Sequence, residues 1–243
     1  MLRIPLVLLF AAWAAAPLAC REEEASDAPT AGIPFDRHGH FDAGPFTMTS
    51  GAGDTLWFGI EFSDGPYARI VRVRRTRAGI DSLSARIDVR TKAAISSHHE
   101  VQTSEGAHTA EVLYGAGYED QARVTVTTPR GRRVDNLRAP PPYLDPAQLP
   151  QTFSALDFAR PDTFTFNYVA PFENDALNAQ VVIGALEALD LPTGPTPAYP
   201  VRLRVSGLEE RFWFAAPPGR YRLLRWHDAT RGVTWIRAEP PAP

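Results

Sequence analysis

Ile70-Val71-Arg72-Val73-Arg74-Arg75 and Leu83-Ser84-Ala85-Arg86-Ile87-Asp88-Val89-Arg90 are the stretches that decide the fold class. In the first, Val71 and Val73 share one face of an extended chain, and Arg72 and Arg74 share the other. In the second, Leu83, Ala85, Ile87 and Val89 point together while Ser84, Arg86, Asp88 and Arg90 face away. A repeat of two residues is that of a half-buried strand, because successive side chains of extended backbone project to opposite faces. The sequence therefore predicts an antiparallel sheet with one apolar and one wet face.

The same pattern extends outward from this pair. Residues 54–62 and 67–77 read as strands joined by Ser63-Asp64-Gly65-Pro66, a set of residues suited to a hairpin loop. Residues 100–103, 109–114 and 123–128 continue the alternation, and 163–170, 179–186, 199–206, 211–215, 221–227 and 233–238 resume it later. Between them, at 129–150, stand Gly131, Arg132, Arg133 and the run Pro140-Pro141-Pro142. Consecutive prolines lack the amide donors of a ladder, so the sheet is expected to be interrupted there. Asp145 before Pro146 predicts a capped short helix running to Phe158, with Leu149, Phe153 and Leu156 as its apolar stripe. No long amphipathic helix is legible, so the class is mainly β, one domain over 36–243 in two halves joined by the proline-rich segment.

The amino end carries an address. Arg3, an apolar run from Ile4 to Ala19 and then Cys20 have the order of a cleavable leader, too short for a membrane span of about 20 residues. Leu18, Ala19 and Cys20 resemble the bacterial lipobox, with Pro17 where that pattern usually has Leu. The expectation is a signal peptide over 1–19 and lipid on Cys20. A plain secretory leader that leaves Cys20 as a free thiol is the alternative; an unpaired cysteine in an oxidising compartment favours lipidation. Arg21 after the cysteine resembles lipoproteins destined for the outer membrane. Residues 20–35, with Glu22, Glu23 and Glu24 followed by Ala, Ser, Asp, Pro and Gly, offer too little apolar surface to order, so they read as a flexible, lipidated tether.

Charge and composition exclude some partners. The formal net charge is −3, one unit more negative once Arg3 is removed, whereas a nucleic-acid binder is expected to carry a basic domain. Lys92 is the only lysine. With Cys20 the only cysteine, no intramolecular disulfide is available and stability must come from packing and strand pairing.

In the second half, Ile183-Gly184-Ala185-Leu186-Glu187 and Pro192-Thr193-Gly194 precede the strand Val201-Arg202-Leu203-Arg204-Val205. The Phe-Trp-Phe strand around Trp213 follows, and then Arg220-Tyr-Arg-Leu-Leu-Arg-Trp-His. This arrangement resembles the bacterial family called domain of unknown function 3108, over about 153–239. The resemblance implies a curved antiparallel sheet, similar to the incomplete barrels of periplasmic lipoprotein carriers, with a helix packed in the concavity. It also implies an inner face able to hold an acyl chain, and it carries no catalytic residues.

Candidate chemistry is sparse. His98 and His99 stand beside Glu100, with His108 and Glu111 following, but neighbours on a strand point to opposite faces, so polar residues of a hairpin loop are the expectation over a zinc site. His38 and His40 read as part of a mobile edge. No Gly-x-Ser-x-Gly or His-Glu-x-x-His is present, and Gly51-Ala-Gly53 and Gly115-Ala-Gly117 lack the third glycine and helix that phosphate binding needs. Asp157, Asp162, Glu173 and Asp175 cannot be paired from sequence alone. No metal, cofactor or enzymatic activity is therefore expected.

Aromatic residues are the more informative set. Phe164, Phe166 and Tyr168 share one strand face, and Trp213, Trp226 and Trp235 fall on later strands. They are expected either to fill a core or to line an apolar site for lipid. The expected function is a non-catalytic, lipid-anchored envelope protein, on the outer membrane facing the periplasm, that binds an apolar ligand or supports envelope assembly. The alternatives are a protein-interaction scaffold using strand edges or the Arg69–Arg77 face, and, last, an envelope hydrolase.

Overall fold

The computed structural model describes residues 30–238, apart from 31, 37–40, 43, 64, 78, 119 and 217–220. The expected leader, Cys20, most of the expected tether, His38 and His40 lie outside the described residues. The first half holds β1 (Phe46–Ser50), β2 (Thr55–Phe62), β3 (Tyr67–Thr76), β4 (Gly79–Asp88), β5 (Ala94–Thr103), β6 (Gly106–Tyr114), β7 (Gln121–Thr128) and β8 (Gly131–Arg138). The crossover contains β9 (Tyr143–Leu144) and the one short helix, α1 (Leu149–Phe153). The second half is β10 (Thr163–Ala170), β11 (Asp175–Ile183), β12 (Glu187–Leu191), β13 (Gly194–Val205), β14 (Leu208–Ala215), β15 (Leu223–Asp228) and β16 (Val233–Arg237).

All belong to one open, curved sheet. Strands β8 back to β1 lie in sequence order, β1 pairs with β16, and the order continues through β15, β14, β13, β11, β10 and β9, with β12 beside β13. Every pairing is antiparallel except β9 with β10. The β1–β16 ladder, with Met48 opposite Arg237 and Ser50 opposite Trp235, fuses the two halves at the middle of the sheet. The two outer strands are β8 and β9, yet only Ala139–Pro142 separates them in the chain. The five Cα–Cα steps from Arg138 to Tyr143 span at most about 18 Å. The sheet must therefore roll nearly into a tube; β8 touches β11, but no ladder closes the seam.

The concavity is filled by the crossover. From Tyr143 to Phe158 every residue except Asp157 is buried, including all of α1. Leu144, Leu149, Phe153, Leu156 and Phe158 enter the largest core, with Phe58, Phe166, Phe212, Phe214 and Trp235. Phe153 meets Phe166 and Phe212 edge to face at centroid distances of 6.4 and 5.5 Å. Ala139 and Tyr143 join a second core beneath β6 and β7, and Ala147 a third beneath β3 and β4. Apolar packing of this one segment thus ties together the inner faces of both halves.

Several expectations need correction. The sheet is not interrupted over the whole of 129–150: Gly131–Arg138 is a full strand paired with β7 and Tyr143–Leu144 pairs with β10, while Ala139–Pro142 and the remainder from Asp145 lie outside the ladder. The helix is shorter than predicted, because Pro150 sits at its start and the chain turns after Phe153; Leu149, Phe153 and Leu156 are nonetheless all buried. In β3 the two-residue phase holds but its faces are reversed. Arg72 lies opposite Phe58 and Leu83, in phase with fully buried Ile70, so it is the arginines that point into the concavity. His98 and His99 do face opposite ways, but on β5 rather than in a loop, and His99 is 3% exposed. Gly51–Gly53 and Gly115–Gly117 are turns, with Gly53, Gly115 and Gly117 at positive φ.

One glycine shows why the second half is spaced as it is. Gly184 donates its N–H to the Pro200 carbonyl at 2.8 Å, and a Cβ there would lie 2.7 Å from the Pro200 ring. This close approach sits where β11 gives way to β12 along β13.

Candidate functional site

A cavity of about 520 Å³ opens on the concave face. Its mouth is formed by three turns: Pro171–Glu173 between β10 and β11, Ser206 between β13 and β14, and Thr230–Arg231 between β15 and β16. Ser206 and Gly207, at φ of 48 and 81°, make the tight two-residue hairpin that positions one lip. Leu149 and Pro150 of α1 form the floor, and Leu56, Leu203, Phe212, Trp226 and Trp235 contribute to the wall. The volume falls within the range of about 300–1,000 Å³ typical of small-molecule sites.

Of the six aromatic residues singled out in the sequence, three line this cavity: Tyr168, Trp226 and Trp235. Phe164 and Phe166 share the inward face with Tyr168 but lie in the packed core, 8% and 1% exposed. Trp213 is on the opposite side of the sheet. Its neighbours Phe212 and Phe214 take the inward positions, so the Trp213 indole donates to Glu187 Oε1 at 2.8 Å and stacks under Arg225, outside the cavity.

The sequence reading missed the charged part of the lining. Arg74 pairs with Asp81, and Arg231 Nη1 donates to Asp228 Oδ2 at 2.9 Å. Deeper, the Arg72 guanidinium lies 5.3 Å from the Trp226 ring centre, and Trp226 Nε1 donates to Glu210 Oε2 at 3.0 Å. Burial, reinforced by the charge of Asp228, pushes the Glu210 carboxyl up to about 7 although Arg72 and the indole oppose it. Burial also raises Asp228 against the pull of Arg72 and Arg74, and lowers Arg74. A signal was available. Glu210 is in phase with Phe212 and Phe214, Asp228 with Trp226, and Arg72 and Arg74 with Ile70, so each charge sits at an apolar-face position of its strand.

A second polar constellation borders the cavity. His99 Nε2 lies 3.2 and 3.3 Å from the two Asp145 oxygens and 3.1 Å from Ser97 Oγ, and the Tyr114 hydroxyl donates to Asp145 Oδ2 at 2.7 Å. The Ala147 N–H also donates to Asp145 Oδ1 at 2.7 Å. Burial pushes Asp145 up, but His99 and the hydrogen bonds from His99, Ser97 and Tyr114 outweigh it and hold the carboxyl below its usual value. Serine, histidine and aspartate are all present, yet Ser97 and Asp145 meet the same ring nitrogen. A nucleophilic triad needs them on opposite nitrogens, so the cluster has the geometry of a structural pin between β5, β6 and the crossover. Asp145 thus does not cap the helix as expected, since the N-cap residue is Gln148 with no side-chain cap bond; it holds the turn before α1 and anchors the segment to the sheet.

Among the described residues no group of three or more His, Cys, Asp or Glu side chains is arranged to hold a metal, and no helix is long and apolar enough to cross a membrane. Glu173 and Asp175 come to the cavity, while Asp157 and Asp162 do not. On the convex face a groove of about 500 Å³ runs past Arg69, Arg86, His98, Glu111 and Arg123. Comparison with protein-family models, with curated proteins and with solved structures found no match to the chain.

Proposed function

We propose that this protein is a lipid-anchored component of the cell envelope, on the outer membrane facing the periplasm, that binds an apolar or amphipathic molecule such as a lipid without transforming it. The observation that carries the binding role is the cavity of about 520 Å³ on the concave face, walled by Leu56, Leu203, Phe212, Trp226 and Trp235. Apolar surface left facing such a space gains free energy when a ligand displaces its water. A scaffold that acts only through its outer surfaces has no need of an open interior, and this favours the ligand reading over a protein-partner one. The envelope location rests on the leader ending at Cys20 and on the acidic segment after it. Holding the sheet on a short tether would keep the cavity within reach of the bilayer.

The test is direct. Native mass spectrometry of the full chain purified from membranes, with solvent extraction of the same sample, is expected to release a bound lipid. The protein is also expected to take up a fluorescent fatty acid. A protein without bound lipid that ignores the probe refutes the binding role. Loss of membrane partitioning in Cys20→Ser is the expected outcome for the anchor, and unchanged partitioning refutes it.

A further inference from the structure

The concave cavity is lined by one buried hydrogen-bond donor that no described acceptor takes and by two further donors beside it. The Trp235 indole N–H is buried and has no acceptor among the described residues, although the ring lines the cavity. Tyr168 lines it too and has no hydrogen bond to a described residue; burial holds its phenol protonated far above neutral pH. The Arg72 guanidinium lies against the face of Trp226 and makes no hydrogen bond to a described residue, its charge acting instead on Glu210 and Asp228. The three are neighbours: Trp226, under Arg72, is the cross-strand partner of Trp235, and Arg72 and Glu210 both act electrostatically on Tyr168.

Three of the five carboxylates that line the cavity are already engaged, and Glu173 and Asp175 stand at its mouth-side turn. Asp81 is held by Arg74, Asp228 by Arg231, and Glu210 takes the Trp226 N–H. A buried donor without an acceptor is a rare and costly feature, and an acceptor brought by a ligand removes that cost.

Resting on the binding role proposed above, we infer that the occupant is a single-chain amphiphile with a carboxylate head, bound by Arg72, Tyr168 and Trp235 with its chain on the apolar wall. A single charge suits this site better than the double charge of a phosphate monoester, because Glu210 and Asp228 stand beside it. A Glu210 carboxyl that keeps its proton near neutrality can itself donate to the incoming carboxylate.

The experiment measures displacement of a fluorescent fatty acid from the full chain by palmitic acid, methyl palmitate and hexadecylamine. The acid is expected to bind at least about tenfold more tightly than the ester or the amine, the ratio for one charge-assisted hydrogen bond. Tyr168→Phe keeps its ring and removes the hydroxyl donor, whereas Trp235→Phe removes the indole donor and also puts a smaller ring in its place. Tyr168→Phe should weaken the acid about threefold to tenfold and leave the ester unchanged, and Trp235→Phe should weaken the acid by more than the ester. Equal binding of acid and ester, with no effect of either variant, overturns the head assignment while the cavity reading survives. Failure of all three to displace the probe, or of the probe to bind, overturns both.

Discussion

Replacing Glu210 by glutamine should stabilise the protein above neutral pH and do little below pH 5. In the folded state burial and the nearby charge of Asp228 raise the Glu210 carboxyl from 4.5 to about 7, despite Arg72 and the Trp226 N–H. Below pH 4.5 the group is protonated whether folded or unfolded and costs nothing. As pH rises from 4.5 through 7, the unfolded chain gives up its proton first, so stability falls and the full penalty is present above pH 7. A shift of this size corresponds to about 3 kcal/mol. Glutamine is nearly the same shape, keeps an oxygen for the indole and carries no charge to bury. Urea unfolding of both proteins at pH 5 and pH 8 reads the difference. Glu210→Gln should lie within about 1 kcal/mol of the parent at pH 5 and exceed it at pH 8 by about 2–3 kcal/mol. An equal difference at both pH values, or a variant less stable at pH 8, would refute the argument that burial dominates this carboxyl.

Other perturbations test the packing. Phe153→Ala empties the centre of the concavity, where the ring is fully buried between Phe166 and Phe212, and should cost about 3–5 kcal/mol in urea unfolding. Gly184→Ala places a methyl group 2.7 Å from the Pro200 ring and should cost about 1–3 kcal/mol, seen as a lower melting temperature. Asp145→Ala strands the Tyr114 hydroxyl, the Ala147 N–H and His99, and should cost about 3–5 kcal/mol at neutral pH. Because the Asp145 carboxyl is held below its usual value when folded, its contribution is present above the ordinary aspartate range and is lost as pH falls through the lowered value. The deficit of Asp145→Ala should therefore shrink in acid, and a deficit that does not change with pH argues against the pin.

What the sequence determined by itself was local. Alternation located the strands, with 163–170 matching β10 residue for residue, because the two-residue phase is a property of extended backbone and needs no partner. It also placed Leu149, Phe153 and Leu156 on one apolar stripe and paired Trp226 and Trp235 with the later strands. It did not reveal β1, β8, β9 or β12 as separate strands. In β8, Arg132, Arg133, Asp135 and Asn136 mask the alternation, because an outer strand with much exposed surface needs few apolar residues. Only the tertiary structure decided which face of each strand is the inside. Arg72 and Arg74 belong to the concavity because β3 lies between β2 and β4 with Phe58 and Leu83 opposite Arg72, and Trp213 belongs to the outside because Phe212 and Phe214 take the inward positions. Only the fold brought Asp145 to His99, 46 residues away. It also turned the proline-rich crossover from a break in the sheet into its core. Those outcomes depend on how a long sheet rolls around one buried segment, a property of packing between distant residues that no local period encodes.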